Sequence, residues 1–163
     1  MQSISPETIF RGNDAWGKAL PKIANLTKSP LILGRSFHTN DIKNKIFSDL
    51  KNRELNVNSA NLQFDCCHED ISRVKDIILK NNNDAVIAAG GGKVLDSGKY
   101  IAEILNIPCI TVPLSASTCA GWTALSNIYT KKGQFIKDVA LRSCPKVLVF
   151  DHKFIQTAPS RTL

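Results

Sequence analysis

The sequence predicts a doubly wound α/β domain built on a parallel sheet, and three observations carry that prediction. Runs that are apolar almost without interruption, such as Leu31-Ile32-Leu33, Ala85 to Ala89 and Ile107 to Val112, have the composition of strands buried on both faces. Between them lie amphipathic segments of about three turns. Finally, one strand runs straight into three glycines and a further helix, which is a βαβ succession.

Leu31 to Leu33 reads as the first short buried strand. Asp41 to Lys51 follows as a helix, because Ile42, Ile46, Phe47 and Leu50 recur on one face. Val57 to Asp65 is expected as a second strand, and Ser72 to Lys80 as a helix burying Val74, Ile77 and Ile78. Then come the strand Asp84 to Ala89, the glycines, a helix from Val94 to Leu105 and the strand Ile107 to Val112. Ala124 to Thr130 and Phe135 to Leu141 flank Lys131-Lys132-Gly133-Gln134, a turn of hairpin composition, so a β-hairpin inserted before the strand Val147 to Phe150 is expected. Thr157 to Leu163, with Pro159 in its first turn, reads as the start of a helix that nothing closes. The expectation is that the parent protein continues past Leu163.

With 163 residues, 43% of them hydrophobic and 21% charged, the chain suits one core and one domain over 1–163. Its first thirty residues hold no apolar signal core, and no run approaches the roughly 18 apolar residues of a membrane span, so a soluble, cytoplasmic protein with no membrane partner is expected. Five cysteines, one of them Cys109 inside an apolar run, argue against a disulfide framework. Cys66-Cys67-His68-Glu69 lacks the two-residue spacer of a zinc knuckle and has no second ligand pair, which leaves a strand end with incidental thiols. The net charge is +7, but the 21 Lys and Arg are scattered from Arg11 to Arg161. That spread argues against nucleic acid and suits an anionic small molecule such as a dinucleotide.

The strongest local signal is Ala88-Ala89-Gly90-Gly91-Gly92-Lys93-Val94-Leu95-Asp96. Glycines let the backbone turn sharply and let a pyrophosphate approach the amides, while the helix N-terminus adds partial positive charge. Val94 stands where a Walker loop needs a hydroxyl, and Leu95 where Gly-x-Gly-x-x-Gly needs its last glycine, so neither of those motifs is met. After the next strand, Leu114 to Thr123 packs small and hydroxyl residues. In an open parallel sheet both segments face one crevice beyond the carboxyl ends of the strands.

Together Gly90-Gly91-Gly92-Lys93-x-x-Asp96-x-x-Lys99, Pro113-x-x-Ala116-Ser117-Thr118, Ala124-Leu125-Ser126-Asn127-Ile128-Tyr129, Pro145 to Asp151 and Ala158-Pro159-x-Arg161-x-Leu163 resemble the iron- or zinc-containing alcohol dehydrogenases, the glycerol dehydrogenase type most closely. The resemblance covers most of the chain. It implies a Rossmann-like, dehydroquinate synthase-like N-terminal domain. It further implies an oxidoreductase that moves a hydride between NAD(P) and a small alcohol, polyol or 2-hydroxy acid. Gly91, Gly92 and Lys93 would hold the pyrophosphate with Val94, Leu95 and Asp96 beside it. Leu114, Ser115 and Ser117 would line the adenosine side, and Thr123, Leu125 and Tyr129 would approach the nicotinamide; plain hairpin packing is the equal alternative for Leu125 and Tyr129. A homo-oligomer is compatible with the resemblance.

Three departures matter. Gly34-Arg35 follows the first strand where the family usually places an aspartate for the ribose hydroxyls, and Arg35 could pair with a 2′-phosphate instead, favouring NADP over NAD. Cys119 stands where glycerol dehydrogenases carry an aspartate that contacts the polyol. The run Ser117 to Ser126 is similar to the hydroxycarboxylate dehydrogenase branch, which puts glycerol in doubt and makes Cys119 a substrate-side candidate rather than a nucleophile. The family's divalent metal, zinc or iron, is bound by an aspartate past the Ala-Pro-x-Arg-x-Leu segment and by two later histidines. None of these lies within 1–163, and His38, His68 and His152 match no ligand position. The chain is therefore expected to lack a helical metal-binding domain and not to catalyse alone. A sugar-phosphate cyclase of the dehydroquinate synthase kind and a non-catalytic nucleotide-binding module are the alternatives.

Overall fold

The computed structural model describes residues 5–158. Along them run β1 (Thr8–Gly12), α1 (Ala15–Leu26), β2 (Pro30–Gly34), α2 (Asn40–Lys51), β3 (Asn58–Asn61), α3 (His68–Lys80), β4 (Ala85–Gly90), α4 (Gly92–Leu105), β5 (Cys109–Pro113), β6 (Leu125–Tyr129), β7 (Phe135–Ala140), β8 (Val147–Asp151) and α5 (His152–Gln156), with a 3₁₀ turn at Phe37–Thr39. Six strands make one sheet in the order β1-β8-β5-β4-β2-β3, every neighbouring pair parallel.

The apolar runs behave as the period of a strand requires, with successive side chains going to opposite faces. Leu31, Leu33, Val86 and Ala88 pack with Ile71, Val74 and Ile78 of α3 and Leu95 and Ile101 of α4. Ile32, Ile87, Ala89, Ile110 and Val112 pack on the other face with Trp16, Ala19 and Ile23 of α1 and Ile46 and Leu50 of α2. Both faces are covered, which is why β2, β4 and β5 are buried at every position. This is the Rossmann-like architecture that the sequence predicts.

Several boundaries differ for physical reasons. The strand expected over Val57 to Asp65 is only β3, because the carboxylate of Asp70 takes the backbone N–H of Gln63 at 2.9 Å and of Phe64 at 2.7 Å and bends the chain away from the sheet. For the same reason α3 starts at His68 rather than Ser72, with Glu69 and Asp70 in its first turn where carboxylates favour the positive helix end. Sequence reading missed β1 and α1 altogether. An edge strand half open to solvent and a helix interrupted by Gly17 and Pro21 carry weak periodicity. The inserted hairpin, β6 and β7, is a separate antiparallel pair lying against α4 rather than a part of the main sheet. Gly133 at its turn has φ +79°, a conformation that favours glycine. The helix expected to start at Thr157 is displaced where it can be followed: Asp151 caps the short α5 by accepting from the Lys153 N–H, and Thr157 closes that helix instead of opening one, while the expectation from 159 onward lies outside the described residues. No helix among the described residues is long and apolar enough to cross a membrane.

This topology positions the site. From β2 the chain steps outward to β3, then crosses back past β2 to lay down β4 and β5 on the other side. The connections diverge between β2 and β4, and a crevice opens beyond the carboxyl ends of those strands.

Candidate functional site

The segments leaving β2 and β4 meet where that rule places them. They line a cavity of about 230 Å³, with Arg35, Ser36 and Thr39 on one wall and Gly90 to Val94 on the other. A Cβ at Gly90 would lie 2.8 Å from Cβ of Val94, so only glycine lets strand pass into helix this tightly, whereas a Cβ at Gly91 would meet nothing within 4 Å. A side chain at position 91 would therefore fill the space that a phosphate would use. The first amides of α4 have no acceptor within their own helix, and they open on this space together with the positive end of the helix. Gly98 supplies the close helix-to-strand contact that the motif's absent glycine at position 95 would give. A Cβ there would sit 2.4 Å from Cβ of Ala88.

The charged residues around the turn are linked. The Lys93 ammonium donates to the buried carboxylate of Asp65 and lies 5.1 Å from the centre of the Tyr129 ring. Arg35, exposed, comes within 4.0 Å of the same carboxylate. Asp65 carries no signal in the sequence because it falls in the bend after β3, with no motif around it; it is the anion that balances two cations of the crevice.

A second chamber of about 250 Å³ continues from Gly92 and Lys93 toward the hairpin, and Asp96, Thr118, Cys119, Thr123, Leu125 and Tyr129 line it. The hairpin is held there by Lys99. Its ammonium pairs with Asp96 at 2.9 Å and donates to the Thr123 carbonyl at 3.2 Å, to Thr123 Oγ1 at 3.2 Å and to the Leu125 carbonyl. Asp96 completes the joint by accepting from the N–H of Asn127 at 3.3 Å, while its own carbonyl accepts from Ser126 Oγ at 3.0 Å. Burial pushes the Asp96 carboxyl above the ordinary carboxylate range, against the pull of Lys99. Asp96 thus ties α4 to the hairpin as well as lining the chamber. The signal for Lys99 in the sequence is a lysine three residues after an aspartate, flanked on the helix by the apolar Val94, Leu95, Ile101 and Ala102.

A third cavity, of about 450 Å³, shares Thr118 and Cys119 with the second and extends to Ser117, Trp122, Phe150 and Arg11. The loop between Pro113 and Trp122 is folded back on β5, since Thr111 Oγ1 donates to the Gly121 carbonyl at 2.9 Å. Ser115 and Ser117 are joined through their hydroxyls at 2.7 Å, and Ser117 lines this third cavity rather than the one beside Arg35 where an adenosine-side role would put it, because the loop folds back toward β8; the Leu114 side chain is part of the core and only its N–H, donated to the Gly90 carbonyl at 3.0 Å, adjoins the turn. Leu95 is likewise a core residue. The structure therefore gathers Arg35, Gly91, Gly92, Lys93, Val94, Asp96, Ser117, Cys119, Thr123, Leu125 and Tyr129 along one connected crevice.

Among the described residues no group of three or more His, Cys, Asp and Glu could hold a metal ion. Cys66 and Cys67 are buried, and burial pushes the Cys66 thiol up to about 12; Cys119 is exposed. A further cavity, of about 540 Å³, lies at the opposite end of the sheet, before β5 and β8, where Arg142 and Lys146 are already paired with Glu103 and Glu7.

Residues 6–152 match the model of a family described as iron-containing alcohol dehydrogenase. Over 162 residues the chain is 35% identical to an uncharacterized oxidoreductase of Synechocystis sp., which covers 99% of this chain and 41% of that protein. It is 30% identical over 159 residues to a glycerol dehydrogenase of Escherichia coli, covering 98% of this chain and 43% of the relative. The crystal structure of glycerol dehydrogenase from Schizosaccharomyces pombe superposes with a TM-score of 0.85 at 28% identity, over 98% of this chain and 41% of that one. The chain thus spans less than half the length of these relatives.

Proposed function

The chain belongs to the iron-containing alcohol dehydrogenase family, and from that premise we propose that it forms the dinucleotide-binding part of an oxidoreductase acting on a small alcohol, polyol or 2-hydroxy acid and the matching carbonyl compound. The observation that carries the proposal is the glycine turn between β4 and α4, open above Gly91 and facing Arg35 across the topological switch point. The cyclase alternative is not favoured, since the relatives named above are oxidoreductases.

The residues fit a dinucleotide in a definite orientation. The amides at the start of α4 and the Lys93 ammonium receive the pyrophosphate. Arg35, Ser36 and Thr39 receive the ribose nearest the adenine, and a 2′-phosphate there would draw the Arg35 guanidinium off its loose contact with Asp65. NADP is accordingly the preferred cofactor. Thr123, Leu125 and Tyr129 form the wall against which the nicotinamide lies, with Lys99 and Asp96 fixing the hairpin that carries them. When bound, the cofactor supplies or accepts the hydride; the chain's own part is to hold the ring at a fixed depth and keep water from that face. The described residues do not fit a metal, so the zinc or iron of the resemblance would take ligands from elsewhere in the parent protein. A cytoplasmic site of action and small-molecule partners, rather than nucleic acid or membrane, belong to the same reading.

Titration of this chain with NADPH and NADH, followed by thermal shift and fluorescence, tests it. Tighter binding of NADPH is expected. Arg35→Ala should weaken NADPH about tenfold or more, the scale of a charge-assisted hydrogen bond, while changing NADH little. Equal loss for both cofactors would refute the 2′-phosphate role, and no response to either would refute the dinucleotide crevice.

A further inference from the structure

Of the cations around the crevice, most are already balanced. Lys93 and Arg35 share Asp65, and Lys99 has Asp96. Arg11 makes no ion pair within 4 Å among the described residues. It stands one residue before the end of β1, in register with Phe150 of β8, and its side chain lines the cavity of about 450 Å³. Among the described residues no carboxylate lines that cavity. Its walls are the guanidinium, the hydroxyls of Ser117 and Thr118, the Cys119 thiol, and the Trp122 and Phe150 rings, whose centres are 6.1 Å apart. A net positive cavity with hydroxyl donors and an apolar wall is complementary to a small anion attached to a short carbon chain, because a guanidinium presents paired N–H donors to two oxygens of one carboxylate or phosphate.

Its position says what the anion belongs to. Thr118 and Cys119 line both this cavity and the chamber beside Leu125 and Tyr129. From these placements we infer that Arg11 is a specificity-determining residue, which binds an anionic group at the far end of the substrate while the carbon that exchanges hydride lies by the hairpin. The substrate class is then a carbonyl compound or alcohol carrying a carboxylate or a phosphate ester, rather than a neutral polyol. This assignment rests on the crevice being the dinucleotide site.

Cys119, the exposed cysteine among the described residues, provides a readout that needs no turnover. Iodoacetate and iodoacetamide alkylate a thiolate by the same displacement of iodide and differ in charge. The rate ratio of iodoacetate to iodoacetamide at Cys119, normalised to the same ratio in urea-unfolded chain, should be about threefold or more higher in the native chain than in Arg11→Gln, the size of one unscreened charge a few ångströms away. Arg11→Lys should fall between them, and the excess should shrink at high salt. Pyruvate and glycerol 3-phosphate are then added as protectants, with glycerol as the neutral control. Slowing by pyruvate identifies a carboxylate ligand and slowing by glycerol 3-phosphate a phosphate ester. A ratio unchanged by Arg11→Gln, or protection by neither anion, overturns the proposal. NADPH titration of the same variant separates the two readings. Unchanged NADPH affinity is expected, whereas a native chain that binds no dinucleotide refutes the crevice reading and leaves the alkylation ratio to decide whether Arg11 forms an anion subsite at all.

Discussion

Replacing Gly98 with alanine asks whether the seat of α4, and with it the glycine turn, is set by one close contact. In an exposed helix the change would stabilise by about 1 kcal/mol, because alanine is the better helix former. Here the added Cβ would lie 2.4 Å from Cβ of Ala88, with Val86 Cγ1 at 3.4 Å and Ala88 Cα at 3.6 Å. Ordinary carbon contacts are about 3.5–4.0 Å, so only the Ala88 methyl is in serious conflict, and neither methyl can rotate away. Overpacking of this kind costs roughly 1–3 kcal/mol, and more when backbone must move. A methyl-to-methyl approach this short, with neither group able to move aside, belongs to the upper part of that range, so after the gain in propensity the net loss should be about 1–2 kcal/mol, or roughly 2–8 °C in melting temperature for a chain of this size. Urea denaturation and calorimetry measure it. The companion variant Ala88→Gly removes the methyl that is struck. Although it weakens the strand by itself, the double variant should be more stable than the sum of the two changes by at least about 1 kcal/mol. A Gly98→Ala chain as stable as its parent, or strictly additive effects in the cycle, would refute the claim that this contact sets the helix.

Lys99→Met should cost about 3–5 kcal/mol, since it leaves the buried Asp96 carboxylate without its ion partner; adding Asp96→Asn should restore part of the loss, and hydrogen exchange should show β6 loosening first. A carboxyl raised by burial binds its proton more readily in the folded chain, so the stability of Lys99→Met should fall as pH rises above the unfolded value of about 3.9. Stability equal to the parent across pH would refute the joint. Asp70 behaves in the opposite way. Burial alone would push its carboxyl up, but the Phe64 N–H, the Arg73 guanidinium and the Gln63 N–H outweigh burial and hold it below the ordinary range. Its contribution is present above the unfolded value and is lost as pH falls through the lower folded value. Asp70→Asn should therefore cost about 1–3 kcal/mol at neutral pH, and the gap should close in acid; a gap independent of pH would refute the assignment.

The relation between sequence and site can be read from particular elements. The glycine turn was legible because three consecutive glycines between an apolar strand and an amphipathic helix have few other uses. The hairpin was legible from Lys131-Lys132-Gly133-Gln134, since a turn that needs positive φ advertises itself by its glycine. By contrast, β1 could not be seen. Its Ile9 and Arg11 are exposed while Phe10 is only partly covered, and a strand of five residues at a sheet edge owes its existence to β8, a partner 139 positions away in register.

What the sequence by itself determined is therefore local: which segments bury both faces, where the backbone must turn without a side chain, and that a glycine turn runs from β4 into a helix start. Local composition is sufficient there because apolar periodicity and glycine sterics act over a few residues. Only the tertiary structure decided that Arg35 faces the glycine turn, that Asp65 balances it and Lys93, that Lys99 and Asp96 moor the hairpin, and that Arg11 opens into a cavity beside Cys119. Each of these depends on parallel strands bringing together segments far apart in the chain, and the strength of a charge or a hydrogen bond is set by neighbours and burial that no local pattern of residues encodes.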